Sequence, residues 1–371
     1  MTVSEMNHIK DVLKHLILEP EGFTAEHAAE GLRSILRGEA SGAQIGGFLT
    51  ALKLRGMEWD PKMIASLATE SYRHALKPTL ETREKNREQF GMVVDIVGTG
   101  GDGWNTFNIS TTSSLVAAAA GLQVAKHGSR ASSSNCGSAD LLESLGCDLG
   151  IVAPSDIAEL LSKHRFCFLF SVTYHPSMRY LAKSRRELGF PTPFNVLGPM
   201  TNPVMPDRAI IGVYAKSLGP VMAEALKILG RRNYAVVCGD EDLDEISIAG
   251  ITHVWHIQEN GDITNYTIHP SDFGVSTHPL SDAAGSSLEE NKATLERLLT
   301  NNLEAKDEAV RDFVLINTGF LLYISGMAAT MKEGAAIARS TLESGKVHAL
   351  LNDFAKATQE LRELEQSTSS G

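Results

Sequence analysis

A strand-forming run that ends in a glycine-rich turn and restarts as a hydroxyl-capped helix constrains this chain more than any other feature. Met92, Val93, Val94, Ile96 and Val97 read as a β-strand, and the turn after them carries glycines at 98, 100, 101 and 103. The core of this stretch is Asp95-Ile-Val-Gly-Thr-Gly-Gly-Asp102. The polar run Asn108-Ile-Ser110-Thr111-Thr112 then opens an apolar helical segment, Leu115 to Ala120. Strand, glycine turn and helix start form the geometry that cradles a phosphate. Glycine lets the backbone approach the anion, and the unpaired N–H groups of the first helical turn point at it. The turn lacks the Lys-Ser/Thr of an ATP-type P-loop and the G-x-G-x-x-G spacing of dinucleotide folds. Taken alone, it reads equally well as a tight connection.

The next segment tips the balance. Lys126-His127-Gly128-Ser129-Arg130 follows a short strand, and Ser132-Ser133-Ser134-Asn135 and Gly137-Ser138 lead into a helix at Ala139. Two cations, a histidine, two glycines and five serines thus fall in 13 positions. Ordinary strand–helix connections run about 2–6 residues. Two anion-competent loops in one β-α-β-α stretch fit a ligand with two phosphate groups. A third element follows a strand at 234–238: Asp240-Glu-Asp-Leu-Asp244-Glu245 places five acids in six positions. An acidic loop is usually a solvated turn. Beside two anion loops it would repel a polyphosphate unless a divalent cation stood between them, and Mg²⁺ is held by one or two carboxylates plus substrate oxygens.

Composition narrows the partners. With 34 basic and 45 acidic residues the net charge is −11, the wrong sign for a nucleic-acid or anionic-membrane partner. Cys136, Cys147, Cys167 and Cys238 are scattered without a C-x-x-C pair, which points to reduced thiols in the cytoplasm. Cys136, amid loop-forming residues and without a base, reads as a bystander. Residues 1–19 lack the features of a signal or transit peptide, and the longest apolar stretch, Phe313 to Ala329, is too interrupted to span a bilayer.

Residues 1 to about 80 read as a small all-helical domain. Ile9, Val12, Leu13, Leu16 and Ile17 form one stripe, Thr24 caps a second helix, and Asp60-Pro61 starts another that runs to about Leu76. The charged run Glu81 to Glu88 reads as a linker. From residue 90 to about 366, β and α patterns alternate. Strands are expected at 92–97, 122–126, 166–171, 209–214, 234–238, 252–257 and 262–269. Helices are expected at 110–120, 138–145, 155–163, 176–187 and 219–229, then at 286–299, 306–325, 331–343 and 346–364, before a frayed tail from Ser367. This is an α/β fold, a largely parallel sheet flanked by helices with ligand loops at the strand C-termini. Arg185 and Arg186 end one helix, where an arginine either offsets the helix dipole or forks a carboxylate.

Together these motifs resemble the anthranilate phosphoribosyltransferase family. The resemblance is carried by residues 95–102, Asn-Ile-Ser-Thr at 108–111, Lys-His-Gly-x-Arg at 126–130, Gly-Ser-Ala-Asp at 137–140, Phe-Asn-Val-Leu-Gly-Pro at 194–199, Asp244-Glu245 and Glu289-Glu290-Asn291. It runs from about residue 8 to about 350, in the family's order. It implies transfer of phosphoribosyl from 5-phosphoribosyl 1-pyrophosphate to the amine of anthranilate in tryptophan biosynthesis. It also implies a nucleoside-phosphorylase-like fold, Mg²⁺, a homodimer, and a helical domain completed by the helix around 176–190. Carried over by position, Gly98, Gly101, Asp102, Thr106, Asn108, Ile109, Ser110, Thr111, Lys126, Ser134 and Ser138 would hold the donor. Ser110, Asp244 and Glu245 would bind metal, and Arg185 would grip the anthranilate carboxylate. Gly98, His127, Ser129, His175 and Pro199 would line the acceptor pocket, and Lys126, His127 and Asp102 would act by positioning and electrostatics.

Three positions depart from the family pattern: Ser129 replaces an asparagine, Asn135-Cys136 removes a loop cation, and Pro191-Thr192-Pro193 replaces an Arg-Thr. These resemble the fungal branch. Two rivals share features with this reading. A pyrimidine nucleoside phosphorylase has the same fold, but its loop reads Lys-x-Ser-Thr-Gly-Gly, where Ile96 and Val97 precede the glycines here. A noncatalytic paralogue that binds nucleic acid would lose these motifs and gain a basic surface.

Overall fold

In the computed structural model, which describes residues 8–78, 91–131 and 136–369, the expected alternation resolves into one seven-stranded sheet. The linker at 81–88 and Ser132 to Asn135 lie outside the described residues. The strands are β1 (Val93–Gly98), β2 (Gln123–Gly128), β3 (Phe166–Phe170), β4 (Arg208–Gly212), β5 (Tyr234–Gly239), β6 (Thr252–Ile257) and β7 (Ile263–Ile268), in the order β3-β2-β1-β4-β5-β6-β7. The first five are parallel and the last two antiparallel. The unbroken apolar runs of β3 and β5 are wholly buried, as parallel strands covered on both faces require. β7 carries Thr264, Asn265 and Thr267 on the open edge, where polar residues discourage further pairing.

The N-terminal helices are α1 (Ile9–Leu18), α2 (Ala25–Leu36), α3 (Gly42–Leu54) and α4 (Pro61–Arg73). Asp60 caps α4, its Oδ1 accepting from the Met63 N–H at 2.8 Å, with proline at the first helical position. α3 has no counterpart among the helices read from the sequence. Its signal is a capping box, with the Ser41 hydroxyl accepting from Gln44 N–H and the Gln44 side chain accepting from Ser41 N–H at 2.8 Å.

Beside two short helical turns, Ser171–Tyr174 and Phe194–Leu197, the longer helices that follow are α5 (Ile109–Ala120), α6 (Ser138–Ser144), α7 (Ile157–His164), α8 (Arg179–Leu188), α9 (Leu218–Ile228), α10 (Leu288–Leu299), α11 (Glu308–Ile324), α12 (Met331–Glu343) and α13 (Lys346–Ser369). Several expected bounds need correction, among them that β4 ends at Gly212 rather than 214. β2 runs on through His127 and Gly128, β3 stops at Phe170, and α13 continues to Ser369 where a frayed tail was expected.

Two apolar cores sandwich the sheet. One face packs on α5, α11 and α13 through Val94, Ile96, Leu115, Phe313 and Phe354. The other joins Ile211 and Val236 of the sheet to α9 and, without a break, to Val12, Leu32 and Phe48 of the N-terminal helices. Leu181 of α8 belongs to this second core, so a helix from the middle of the chain packs with the N-terminal bundle. β1 pairs with β2 on one side and β4 on the other, so the chain reverses its direction across the sheet at β1. In open α/β sheets, ligands bind in the crevice beyond the strand C-termini at such a switch point.

Candidate active site

Gly98 and Gly212 end β1 and β4 as register partners. A β-carbon on Gly212 would overlap the backbone of Asp244, and one on Gly98 would overlap the Asp244 carboxylate. The two glycines therefore form a notch into which the acidic loop after β5 descends. There Asp244 Oδ2 accepts from the Gly100 N–H at 2.5 Å, and Asp244 N–H donates to Asp102 at 3.4 Å. The Trp104 indole ties the same two loops together, donating to the Glu241 carbonyl at 2.9 Å. Gly100, Gly101 and Gly103 all hold positive φ, a conformation that favours glycine.

Glu245 reaches the other end of the crevice, where its Oε1 accepts from the Ser110 N–H at 3.2 Å in the first turn of α5. Two of the N–H groups expected to face phosphate thus meet carboxylates instead. Phosphate loop and acidic loop interleave, and each satisfies the other's groups. Asp244 and Glu245, at the inner end of the acidic loop, are only partly exposed, whereas Asp240 and Asp242 face solvent. Burial and then the charge of Asp102 push Asp244 up to about 7, and burial with the charges of Asp244 and Asp102 pushes Glu245 well above the carboxylate range. The second oxygen of Glu245 is buried without a hydrogen-bond partner.

Lys126 stands on β2, which runs two residues past the end expected for it. Its ammonium is buried, donating to the Ile96 carbonyl at 2.9 Å and to Ser110 Oγ at 3.3 Å. Burial lowers its pKa while Asp95 and Glu245 support its charge. Asp95 is buried beneath it, accepting from the Asn202 side-chain amide at 2.9 Å and from the Ile96 N–H at 2.8 Å. Burial pushes Asp95 up to about 6 against the pull of Lys126.

These groups surround a cleft of about 470 Å³. Of the expected site residues, Gly98, Gly101, Asp102, Thr106, Asn108, Ile109, Ser110, Thr111, Lys126, His127, Ser129, Ser138, Asp244 and Glu245 line it. Ile109 has its side chain in the core and its N–H donated to the Phe107 carbonyl, so it offers position rather than a donor. Ser138 Oγ donates to the Ser129 carbonyl at 3.2 Å, closing the base of its loop. Ser134 is outside the described residues.

His175, Arg185 and Pro199 do not line this cleft; they gather beside it around the segment 194–201. His127 contacts the Gly198 carbonyl through Nδ1 at 3.2 Å, and its ring lies 5.0 Å from that of His175. Burial lowers His127 to about 3 and His175 to about 4, so both rings are neutral. Arg185 is half-buried and turned inward, while Arg186 is exposed. Arg185 reaches the Asn195 side chain at 3.5 Å and lies 5.7 Å from the centre of the Phe194 ring. Burial lowers its pKa and, among the described residues, no carboxylate offsets that effect. An arginine that only balances a helix dipole would stay solvated.

Among the described residues no three His, Cys, Asp or Glu side chains converge into a preformed metal cage. The donor set still fits magnesium, because clustered carboxylates with raised proton affinity and an unpartnered oxygen favour a divalent cation that completes its shell with ligand oxygens and water.

Residues 91–348 match the glycosyl transferase family a/b domain, and residues 10–74 match its helical bundle domain. The chain is 43% identical over 335 residues to the anthranilate phosphoribosyltransferase of Schizosaccharomyces pombe, covering 90% of this chain and 93% of that one. The anthranilate phosphoribosyltransferase structure from Thermus thermophilus superposes with a TM-score of 0.83 at 38% identity, covering 94% of this chain and 99% of that one. That from Saccharomyces cerevisiae, in complex with PRPP and Mg, gives 0.86 at 32% identity and covers 95% and 98%. The yeast protein has also been solved with 4-fluoroanthranilate. The shared bundle, sheet and crevice, with relatives matched over nearly their whole length, show that this chain belongs to the anthranilate phosphoribosyltransferase family.

Proposed function

We propose that this chain transfers the phosphoribosyl group of 5-phosphoribosyl 1-pyrophosphate to the amine of anthranilate, giving N-(5-phosphoribosyl)anthranilate and pyrophosphate in tryptophan biosynthesis. The observation that carries the reading is the interleaving of glycine loop and acidic loop at the switch point, with Gly100 N–H on Asp244 and Ser110 N–H on Glu245. One crevice there offers N–H donors to phosphate and carboxylates to a cation. A nucleoside phosphorylase, which takes inorganic phosphate, has no need of the second set.

In this reading the glycine loop, Asp102, Thr106, Asn108, Ser110, Thr111, Lys126 and Ser138 hold the donor. Asp244, Glu245 and Ser110 would hold Mg²⁺, which would neutralise charge on the departing pyrophosphate. The anthranilate nitrogen bonds to the ribose anomeric carbon as the bond from that carbon to the pyrophosphate oxygen breaks, and the amine then loses a proton. The nitrogen lone pair is already nucleophilic, so positioning supplies much of the acceleration. Lys126 lies with its charge beneath Ser110, where negative charge develops on the leaving group. Arg185 forks the anthranilate carboxylate, while neutral His127, neutral His175 and buried Pro199 form the wall of the ring pocket.

The exposed side chains of Ile17, Leu18 and Leu54 lie at helix ends joined by the Arg55 hydrogen bond to the Ile17 carbonyl. They support a homodimer formed through the helical domain. Cys147, Cys167 and Cys238, buried and free, fit a reducing compartment, the cytoplasm. The reading is tested by supplying phosphoribosyl pyrophosphate with anthranilate in one reaction and inorganic phosphate with a pyrimidine nucleoside in another. Pyrophosphate released in step with anthranilate consumed supports it, whereas phosphorolysis of the nucleoside overturns it.

A further inference from the structure

The donor side of the crevice is held from behind by a segment far along the chain. Residues 105–107 pair with 283–285: the Phe107 N–H donates to the Ala283 carbonyl at 3.0 Å, and Thr106 forms an antiparallel bridge with Ala284. The Gly285 N–H donates to the Asn105 carbonyl at 2.5 Å, and the Asn105 side chain donates to the Gly285 carbonyl at 2.8 Å. A β-carbon on Gly285 would lie 2.5 Å from the Thr106 carbonyl oxygen, so the pairing at this distance requires glycine.

This strap leads into α10, whose first turns carry Asn291. The Asn291 side chain is buried, with both ends of its amide in use. Its oxygen accepts from the Ser286 N–H at 2.9 Å, and its Nδ2 donates to Asn108 Oδ1 at 3.3 Å. Asn108 Nδ2 in turn donates to the Cys136 carbonyl at 2.9 Å, and its backbone carbonyl accepts from Thr112 at the start of α5. The Asn108 amide is therefore fixed from both sides, its oxygen by Asn291 and its nitrogen by the loop before α6.

We propose that Asn291 is a positioning residue for phosphoribosyl transfer, setting the amide orientation of Asn108 and with it the shape of the donor loop from Asn105 to Ser110. The proposal rests on the donor assignment made above. Asn291 does not line the cleft; it reaches the cleft wall through Asn108 and through the Cys136 thiol beside it. Without its N–H, Asn108 Oδ1 loses its partner and the amide is free to turn over, releasing the Cys136 carbonyl as well. The consequence falls on the phosphorylated donor, because Arg185 and the two histidines hang from the separate segment 194–201.

The test is a double-mutant cycle on steady-state kinetics, since residues acting as one unit give non-additive effects. Asn291→Ala raises the donor KM roughly tenfold, the scale of one lost buried hydrogen bond, and moves the anthranilate KM by less than about twofold. Asn291→Asp keeps the acceptor for Ser286, sets a carboxylate oxygen against Asn108 Oδ1 in place of the donated hydrogen, and also raises the donor KM, so the result does not hang on the alanine variant folding. In an Asn108→Ala background, Asn291→Ala adds no further change. Additive effects, or equal changes in both KM values, overturn the proposal and return Asn291 to a purely structural role. Wild-type protein in the same assay separates the two levels. No turnover there refutes the donor reading, while normal turnover with an unchanged donor KM in both Asn291 variants refutes this inference.

Discussion

The carbonyl oxygen of Asp244 occupies the space that a β-carbon on Gly212 would need. The depth of the acidic loop in the crevice is therefore set by a strand residue that carries no chemistry of its own. Gly212→Ala should push the loop outward, raise the Mg²⁺ concentration needed for half-maximal activity roughly tenfold or more, and cost about 1–3 kcal/mol of stability as an overpacked site does. Mg²⁺ titrations of turnover and a thermal melt check this. An alanine variant with the wild-type metal requirement would show that the loop's depth is immaterial.

Asp244 and Glu245 are expected to trade stability for function. Asp244→Asn with Glu245→Gln should abolish turnover, because Asp102 alone then remains of the carboxylates named at the cleft. The same change removes two buried acids that repel each other and Asp102 when charged, so the metal-free melting temperature should stay level or rise. A marked fall in the melting temperature would mean that these carboxylates serve the fold instead.

How much of this was legible in the sequence depends on how local each signal is. The glycine turn, the hydroxyl-rich start of α5 and the alternating strands and helices are patterns within a few residues, and the sheet and most of its cleft follow from them. The same kind of signal was present for α3 in Ser41 and Gln44. Arg185 was ambiguous, because helical phase alone does not say which of two adjacent arginines turns inward. Gly212, Trp104 and Asn291 were out of reach. Gly212 reads as an ordinary strand end until Asp244 is packed against it, and Asn291 gains a role only when α10 meets the donor loop. Lys126 was expected at the very end of its strand, at the mouth of the loop, whereas the strand continues to Gly128 and buries the ammonium.

Arg185→Ala should raise the anthranilate KM far more than the donor KM. Loss of a desolvated, charge-assisted carboxylate contact costs about 2–5 kcal/mol, and Arg185 has no competing acid that would absorb the change. Matched changes in both KM values would return it to the role of a helix-end cation.

The paired histidines give a pH signature. Their folded-state pKa values, about 3 for His127 and about 4 for His175, lie below the ordinary value of 6.5. Between those limits the unfolded chain takes up protons that the folded chain refuses. Their contribution is therefore fully present above pH 6.5 and is lost as pH falls toward 4. His175→Gln should remove part of this acid sensitivity, roughly 3 kcal/mol at most. Denaturant melts at about pH 7 and about pH 4.5, on either side of the ordinary histidine range, measure it. An equal fall in stability for variant and wild type would place the acid-labile groups elsewhere.

In the proposed reaction the interleaved loops beyond β1 and β5 hold a metal-bound phosphoribosyl donor for attack by anthranilate. The most direct measurement follows the loss of anthranilate fluorescence on mixing the purified chain with 5-phosphoribosyl 1-pyrophosphate and Mg²⁺, then repeats it after chelation and with the Asp244→Asn, Glu245→Gln variant. The account predicts steady consumption with one pyrophosphate released per anthranilate used, halted by chelation, restored by added Mg²⁺, and absent in the variant. Consumption that persists in the chelated enzyme, or in the variant at saturating Mg²⁺, would contradict it.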